Sequence, residues 1–237
     1  MTDTTSPPTP PAGLPAAPAP RPPAAPPGGL PPLRFSFSTP SDWVQVDMSA
    51  DGPAAARRFV ERLVEGQPEG NRDKRREIQV AATFQGTVRK ARRQGARMAA
   101  FWSVQAEGRL AGASVMVAIR PVPQGLVPKD AASPEEAHLA ALERAVRHVT
   151  ASGQDDGGSV IETGLVELPA GPARRVRRSQ VVDALGSRHR TEVVQFFVLA
   201  PDQRQMVVIT FSTPTLELAE PLAGLFDALA CSLRWRP

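Results

Sequence analysis

Two neighbouring segments near the C-terminal end constrain the fold most. Residues 191–199 (TEVVQFFVL) and 205–211 (QMVVITF) alternate as β-strands do, and apolar residues stand on both sides of each strand. A strand that is apolar on both sides needs a packing layer on each face of its sheet. The link APDQR is too short for a crossover connection, so the two strands pair antiparallel. The sequence therefore predicts a sheet that is covered on both faces.

The remaining periodic segments fit this architecture. Further strands are predicted at residues 34–37, 44–48, 97–107, 110–119, 159–168 and 173–183. Helices are predicted at residues 53–65 and 72–94, after Ser133-Pro134-Glu135-Glu136, and at residues 214–233. We predict an α+β protein, an α/β/α sandwich with a central, mainly antiparallel sheet flanked by helices on both faces.

Two helix starts carry local signals. Ser133 suits an N-cap, Pro134 the first helical position, and two glutamates follow at the positive end of the helix dipole. The tetrapeptide FSTP occurs at residues 37–40 and again at residues 211–214. Both copies are interpreted as strand ends, and Thr213 is predicted to cap the last helix.

Proline divides the chain into two regions. Half of the 26 prolines fall in residues 1–33, where an extended, unpacked chain is expected. We predict a disordered Pro/Ala-rich tail over residues 1–33 and a single domain over residues 34–237. The tail is either a ligand for a proline-recognising domain or a spacer, and spacer is favoured. No signal peptide and no membrane span is recognised, which favours a cytoplasmic protein.

The residues that usually carry catalysis are few and scattered. His138 and His148 lie roughly 280° apart around a helix, so they do not converge on one ligand, and both are expected to be exposed. His189 is placed in a solvated hairpin turn, and the single cysteine, Cys231, is expected to be a small buried hydrophobe. No catalytic residue, metal site or cofactor is predicted, and an enzyme is disfavoured.

Two groups of basic residues are the strongest polar feature of a chain with a formal net charge of +4. They are interpreted either as solvated surface that also protects an edge strand or as contacts with an acidic partner. Nucleic acid is unlikely because the chain has no tyrosine and few aromatic residues outside apolar patterns. The candidate partner-binding residues are Arg174, Arg175, Arg177 and Arg178 in one strand, and Arg89, Lys90, Arg92 and Arg93 in one helix.

The opening FSFSTPSDW (residues 35–43), a two-helix insert and the closing segment from Phe197 to Trp235 resemble the PsbP-like fold. The resemblance covers roughly residues 34–237 and is greatest to bacterial members related to LpqN-type lipoproteins. It implies an α/β/α sandwich around an antiparallel sheet, and protein-binding, chaperone-like or assembly roles without a shared catalytic site.

Three functions follow as hypotheses. The first is a non-enzymatic protein-binding, chaperone-like or assembly module whose unknown partner is possibly acidic. The second is an anion or nucleic-acid binder that uses the arginine clusters. The third is a small-molecule binder, or an enzyme, with a cleft between sheet and helix.

Overall fold

The computed structural model describes residues 33–46, 48, 58, 61, 86–106, 109–122, 132–151, 158–184 and 187–236. The predicted tail, except for Leu33, lies outside these residues. So does most of the two-helix insert, of which Arg58, Glu61 and residues 86–93 are described as helical.

A seven-stranded sheet forms the centre of the protein, and every neighbouring pair in it is antiparallel. The strands are β2 Val44–Val46, β3 Ala96–Ala106, β4 Arg109–Pro121, β5 Ser159–Leu168, β6 Gly171–Ala184, β7 Ser187–Leu199 and β8 Gln205–Thr213. Their order in the sheet is β2-β3-β4-β8-β7-β6-β5, with β2 and β5 at the edges. The predicted antiparallel sheet is confirmed.

One strand begins earlier than predicted. β7 starts at Ser187, so His189, which was expected in a hairpin turn, lies within a strand opposite Val182 of β6. The segment SRHR has no apolar alternation, and its pairing with β6 makes it a strand. β8 ends opposite Glu192 of β7. The tips of β6 and β7 therefore extend beyond the end of β8.

The helix after the proline-rich loop begins as predicted. Helix α1 spans Pro134–Ala151. The Ser133 hydroxyl accepts a hydrogen bond from the Glu136 amide at 3.1 Å, and the Glu136 carboxylate accepts one from the Ala132 amide at 2.9 Å. The first bond is the N-cap bond of a capping box, and the second joins the Glu136 carboxylate to Ala132, the residue before the N-cap, so two backbone donors at the helix start are satisfied.

Helices pack against both faces of the sheet. From helix α2 (Ala219–Ala230), Leu222 and Phe226 cluster with Phe196 and other side chains of one face. Leu142 of α1 clusters with Phe197 on the opposite face. Adjacent residues of β7 thus point to opposite layers, as the two-sided apolar pattern requires.

Phe211 of β8 joins three other aromatic rings. It stacks on Phe226 of α2 with ring centroids 4.6 Å apart and meets Phe196 edge-on at 6.0 Å. Its third neighbour is Phe37, at 6.4 Å. The phenylalanines of the two FSTP segments therefore lie in the same aromatic cluster, although they are far apart in the sequence.

The two ends of the described chain pair with each other beside this cluster. Strand β1 (Phe35–Ser36) is antiparallel to β9 (Arg234–Trp235). The Ser38 amide donates to the Ser232 hydroxyl at 3.0 Å, and the Trp235 indole donates to the Ala170 carbonyl at 2.7 Å. The first FSTP segment thus connects the beginning of the domain to its end.

Thr213 does not cap the last helix, so that prediction was wrong. Its hydroxyl donates to the Gly112 carbonyl at 2.8 Å and accepts from the Thr215 amide at 3.0 Å. The chain then makes a 3-10 turn over Leu216–Leu218 before α2 begins. Helix α2 begins at Ala219 rather than at Pro214, so its first backbone amides lie beyond the reach of the Thr213 hydroxyl.

Candidate partner-binding surface

The β6 arginines point alternately to the two faces of the sheet. Arg175 and Arg177 share the face of α2, where Asp227 and Glu220 meet them. Arg174 points to the opposite face and meets Glu143 of α1, with 2.8 Å between Nη1 and Oε1. The strand that was predicted as basic and exposed is therefore internal to the sheet, with β5 on one side and β7 on the other.

Arg175 and Arg177 each contact two carboxylates. Arg175 Nε donates to Asp227 at 2.7 Å, and its Nη1 donates to Glu162 of β5 at 3.0 Å. Arg177 Nε donates to Glu192 of β7 at 2.5 Å, and its Nη2 donates to Glu220 at 2.7 Å. Both guanidinium groups thus link α2 to two strands, and charge-assisted bonds of this kind are the stronger hydrogen bonds in proteins.

The electrostatics of Arg177 follow from these contacts. Hydrogen bonds that Arg177 donates to Glu220 and Glu192 raise the pKa of Arg177, and the bond to Glu220 lowers the pKa of Glu220. A lowered carboxyl pKa adds stability that is complete above the pKa of the unfolded chain. That contribution is lost as the pH falls through the lower, folded pKa of Glu220.

The second predicted group is placed differently. Arg89, Lys90, Arg92 and Arg93 are exposed on the helical segment 86–93, whose Val88 is buried against the sheet. The segment ends at Gly95, which has a φ of +86° and leaves no room for a side chain, since a Cβ would lie 2.3 Å from the Ile119 carbonyl oxygen. Within the described residues, no ion pair involves these four side chains.

The structure thus does not bring the two predicted groups together. Arg89, Lys90, Arg92 and Arg93 flank β3, whereas the β6 group lies four strands away along the sheet. Arg178, the last of the β6 group, is half-buried opposite Val193. A role in partner binding stays a prediction for all eight residues.

A different surface stands out by its apolar side chains. The described residues include eight large apolar side chains that are exposed, and six of them lie at one end of the sheet. This is the end where the β3–β4 and β6–β7 hairpins turn, where β5 begins and where β8 ends. We call this surface the hairpin end, and its residues are Val104, Val160, Ile161, Val181, Val182 and Leu216.

The most exposed members of the hairpin end follow from the strand pairing. Val160 and Ile161 are 63% and 54% exposed at the beginning of the edge strand β5. Val181 and Val182 are both 37% exposed on the part of β6 that extends past β5. The exposed side chains of Arg188 and Arg190 stand beside them on β7.

Sequence reasoning missed the hairpin end. β5 and β6 were predicted as strands, but an apolar residue in a strand is buried or exposed according to the position of that strand in the sheet. Strand order arises from contacts between distant segments, and no local pattern reports it. The sequence offered one signal, the polar segment SRHR at the start of β7. It is too hydrophilic to be buried in the centre of a sheet, so it indicates an exposed strand end.

The structure corrects the predictions for His138 and Cys231. His138 of α1 is half-buried rather than exposed; burial lowers its pKa, and the Glu167 carboxylate of β5 opposes that shift. Cys231 is exposed, because it follows the last residue of α2 and lies in a turn rather than inside the helix. His148 and His189 are exposed, as predicted.

The described residues contain neither a candidate metal-binding group nor a membrane-spanning helix. In the ranges given above, no three histidine, cysteine, aspartate or glutamate side chains are grouped so that they could hold a metal ion. Among the helices described there, none is both long enough and apolar enough to cross a membrane.

Solved structures that are similar to this chain include the two that follow. No family model and no curated protein matches the chain. A crystal structure from Pseudomonas aeruginosa, of a protein of unknown function described as a candidate regulator, is 14% identical with a TM-score of 0.38; the match covers 59% of this chain and 83% of that one. The solution structure of the cyanobacterial PsbP from Synechocystis is 13% identical with a TM-score of 0.39, over 90% of this chain and 98% of that one.

The second of these proteins is a PsbP, the family whose fold the sequence resembles. With a TM-score of 0.39, the likeness transfers neither fold nor function to this chain. The relationship to LpqN-type lipoproteins stays a prediction.

The contacts of Arg177 generate a stability prediction. Arg177→Met keeps the length of the side chain but leaves Glu192, whose side chain is 11% exposed, without its cation. Because an uncompensated buried charge is strongly unfavourable, we expect the free energy of unfolding to fall by about 3 kcal/mol. Urea denaturation followed by circular dichroism measures the loss.

The matched control removes the solvent-exposed partner of the same arginine. The Glu220 side chain is 80% exposed, so Glu220→Gln should lower stability far less than Arg177→Met. Equal losses in the two variants would contradict the assignment of Glu192 as the partner that requires Arg177.

Proposed function

We propose that this protein is a non-enzymatic protein-binding module, of a chaperone-like or assembly type, that binds its partner at the hairpin end. The observation that carries the proposal is the concentration at that one end of six of the eight large apolar side chains that are exposed in the described part of the chain. Single exposed apolar residues are common on soluble proteins, whereas a concentration of them, here on both faces at one end of the sheet, is typical of interaction sites. The predicted location in the cytoplasm stays a prediction.

The width of the surface favours a macromolecule over a small ligand. Val104 on β3 and Val160 on β5, which point to opposite faces of the sheet, are separated by five strand spacings in the sheet order. At about 4.8 Å per spacing, the apolar side chains span roughly 24 Å. This is close to the width of a standard protein interface of about 800 Å² per partner, whereas small molecules bind in concave pockets.

The charge beside the apolar residues indicates the chemistry of the partner. Arg188 and Arg190 are exposed on β7 next to Val181 and Val182. Asp183 lies opposite Arg188 on the hairpin, and Glu162 and Glu192 are in ion pairs with β6 arginines. Exposed Arg190, opposite Val181, therefore favours a protein partner whose apolar contact surface carries a nearby carboxylate.

Substitution of the apolar side chains tests the proposal. Thr is nearly the same shape as Val and keeps a high strand propensity, so Ile161→Thr, Val181→Thr and Val182→Thr together should preserve the fold. We expect the triple variant to recover at least tenfold less of the partner that co-purifies with the tagged wild-type chain, corresponding to about 1.4 kcal/mol.

Leu225→Gln on α2 is the control, because Leu225 is 37% exposed, like Val181, but lies outside the hairpin end. The control should recover as much partner as the wild type. Full recovery by the triple variant, with its melting temperature unchanged, would refute the hairpin end as the binding surface.

An anion or nucleic-acid binder is the second candidate. The observation that favours it is the exposure of Arg89, Lys90, Arg92 and Arg93 together on the segment 86–93. Three of these, Arg89, Lys90 and Arg93, stand on the side of the helix opposite the buried Val88. Such a surface neutralises phosphates without reading bases.

A salt titration tests this second candidate. Binding of a fluorescein-labelled DNA duplex should weaken with salt, with a log–log slope of about −0.9 for each phosphate neutralised. Arg89→Gln with Arg93→Gln should reduce that slope by about 2, whereas Arg34→Gln with Arg204→Gln, two exposed arginines elsewhere, should leave it unchanged. No binding at low salt, or equal slopes for both double variants, would exclude this function for the segment.

A further inference from the structure

The two edges of the sheet differ in how they are protected. β2 has three residues, and a short edge strand offers little backbone for pairing with another chain. β5 has ten residues, and in the described part of the chain it pairs on one side only, with β6. On its other side, none of the described residues forms a strand beside its backbone donors and acceptors.

The side chains of β5 do little to prevent another strand from pairing there. Nine of its ten residues are exposed or half-buried, and Leu165 in the middle is 50% exposed. Charged side chains often protect such edges. Here Glu162 is in an ion pair with Arg175, so its charge is balanced within the same chain.

A bulge determines which part of β5 is available. The pairing with β6 shifts between Val160 and Glu162, which leaves Ile161 as the extra residue. Regular pairing then continues from Glu162 to Leu168. The centre of this regular stretch is Leu165.

We propose that β5 pairs antiparallel with β5 of a second copy of this chain, with Leu165 opposite Leu165 across a two-fold axis. This register is the one in which the whole regular stretch on each strand is paired, because Leu165 is its midpoint. The two sheets then become continuous across the dimer. A C2 interface of this kind uses the same residues on both subunits.

The side chains in this register are complementary. Gly164 lies opposite Val166 of the second copy, and a Cβ added at Gly164 meets nothing within 4 Å, so the valine has room. Glu162 lies opposite Leu168 and Glu167 opposite Thr163, so no two carboxylates face each other directly. Leu165, half exposed in the single chain, is covered by its own copy. Apolar cross-strand pairs without like-charge pairs stabilise a sheet.

The inference goes beyond the proposed function and uses a different surface. The hairpin end includes Val160 and Ile161, on the other side of the bulge from the paired stretch. A substitution at Leu165 therefore leaves the hairpin end intact, and the two ideas can fail separately.

Disulfide cross-linking tests the register. In a Cys231→Ser background, which removes the exposed native thiol, Leu165→Cys should form a disulfide-linked dimer under mild oxidation. Directly opposite residues have Cβ atoms about 5 Å apart, within reach of a disulfide. Thr163→Cys, with thiols roughly 14 Å apart in this register, should not cross-link to itself, but should do so when mixed with Glu167→Cys.

Light scattering with size-exclusion chromatography tests the association itself. Seven paired residues form a small interface, so we expect a dimer whose population rises with protein concentration. Leu165→Lys should be monomeric throughout that range, because an edge lysine prevents pairing. The inference would be overturned by a wild-type chain that stays monomeric and a Leu165→Cys variant that cross-links no faster than Thr163→Cys. Partner recovery by the Leu165→Lys variant reports separately on the hairpin end.

Discussion

The stacking of Phe211 on Phe226 is the interaction on which the arrangement of the domain depends. It holds helix α2 against β8, and the contact of Phe211 with Phe37 holds the beginning of the domain against the same strand. Aromatic pairs of this kind add to the large apolar area that their rings bury. With α2 in this position, Asp227 and Glu220 reach Arg175 and Arg177 on β6. The aromatic cluster thus places the carboxylates that the arginines need.

This dependence changes the interpretation of the basic strand. Arginines in the middle of a sheet would be unfavourable without partners, since a desolvated charge requires a counter-charge. Arg175 and Arg177 find theirs on α2 and on the neighbouring strands β5 and β7. These ion pairs stabilise the fold, which accounts for Arg175 and Arg177 in this strand. Among the described residues, other exposed features that could contact a partner are the hairpin end, the β5 edge and the segment 86–93.

Much of the fold could be predicted because it depends on local patterns. The two-sided apolar alternation of β7 and β8 required helices on both faces, and the segment after Ala132 carried a complete capping signal. The errors came where a distant segment decides the outcome. Thr213 bonds to Gly112 of another strand instead of capping α2, and the polar start of β7 is a strand because β6 pairs with it.

The candidate surface could not be predicted for the same physical reason. Val160 and Val194 look alike in the sequence, yet one is 63% exposed at an edge and the other is 1% exposed in the centre of the sheet. Only strand order separates them. The charge of a segment can be counted from its sequence, whereas the exposed fraction of an apolar side chain depends on the fold.

Hydrogen exchange of the free chain and of its co-purified complex tests the central claim most directly, because it locates the partner without any substitution. Binding at the hairpin end predicts slower exchange in the complex for backbone amides of residues 159–161, 180–182 and 188–190. The amides of residues 86–93 should exchange at unchanged rates. Slower exchange confined to residues 86–93, with the hairpin end unaffected, would contradict the account.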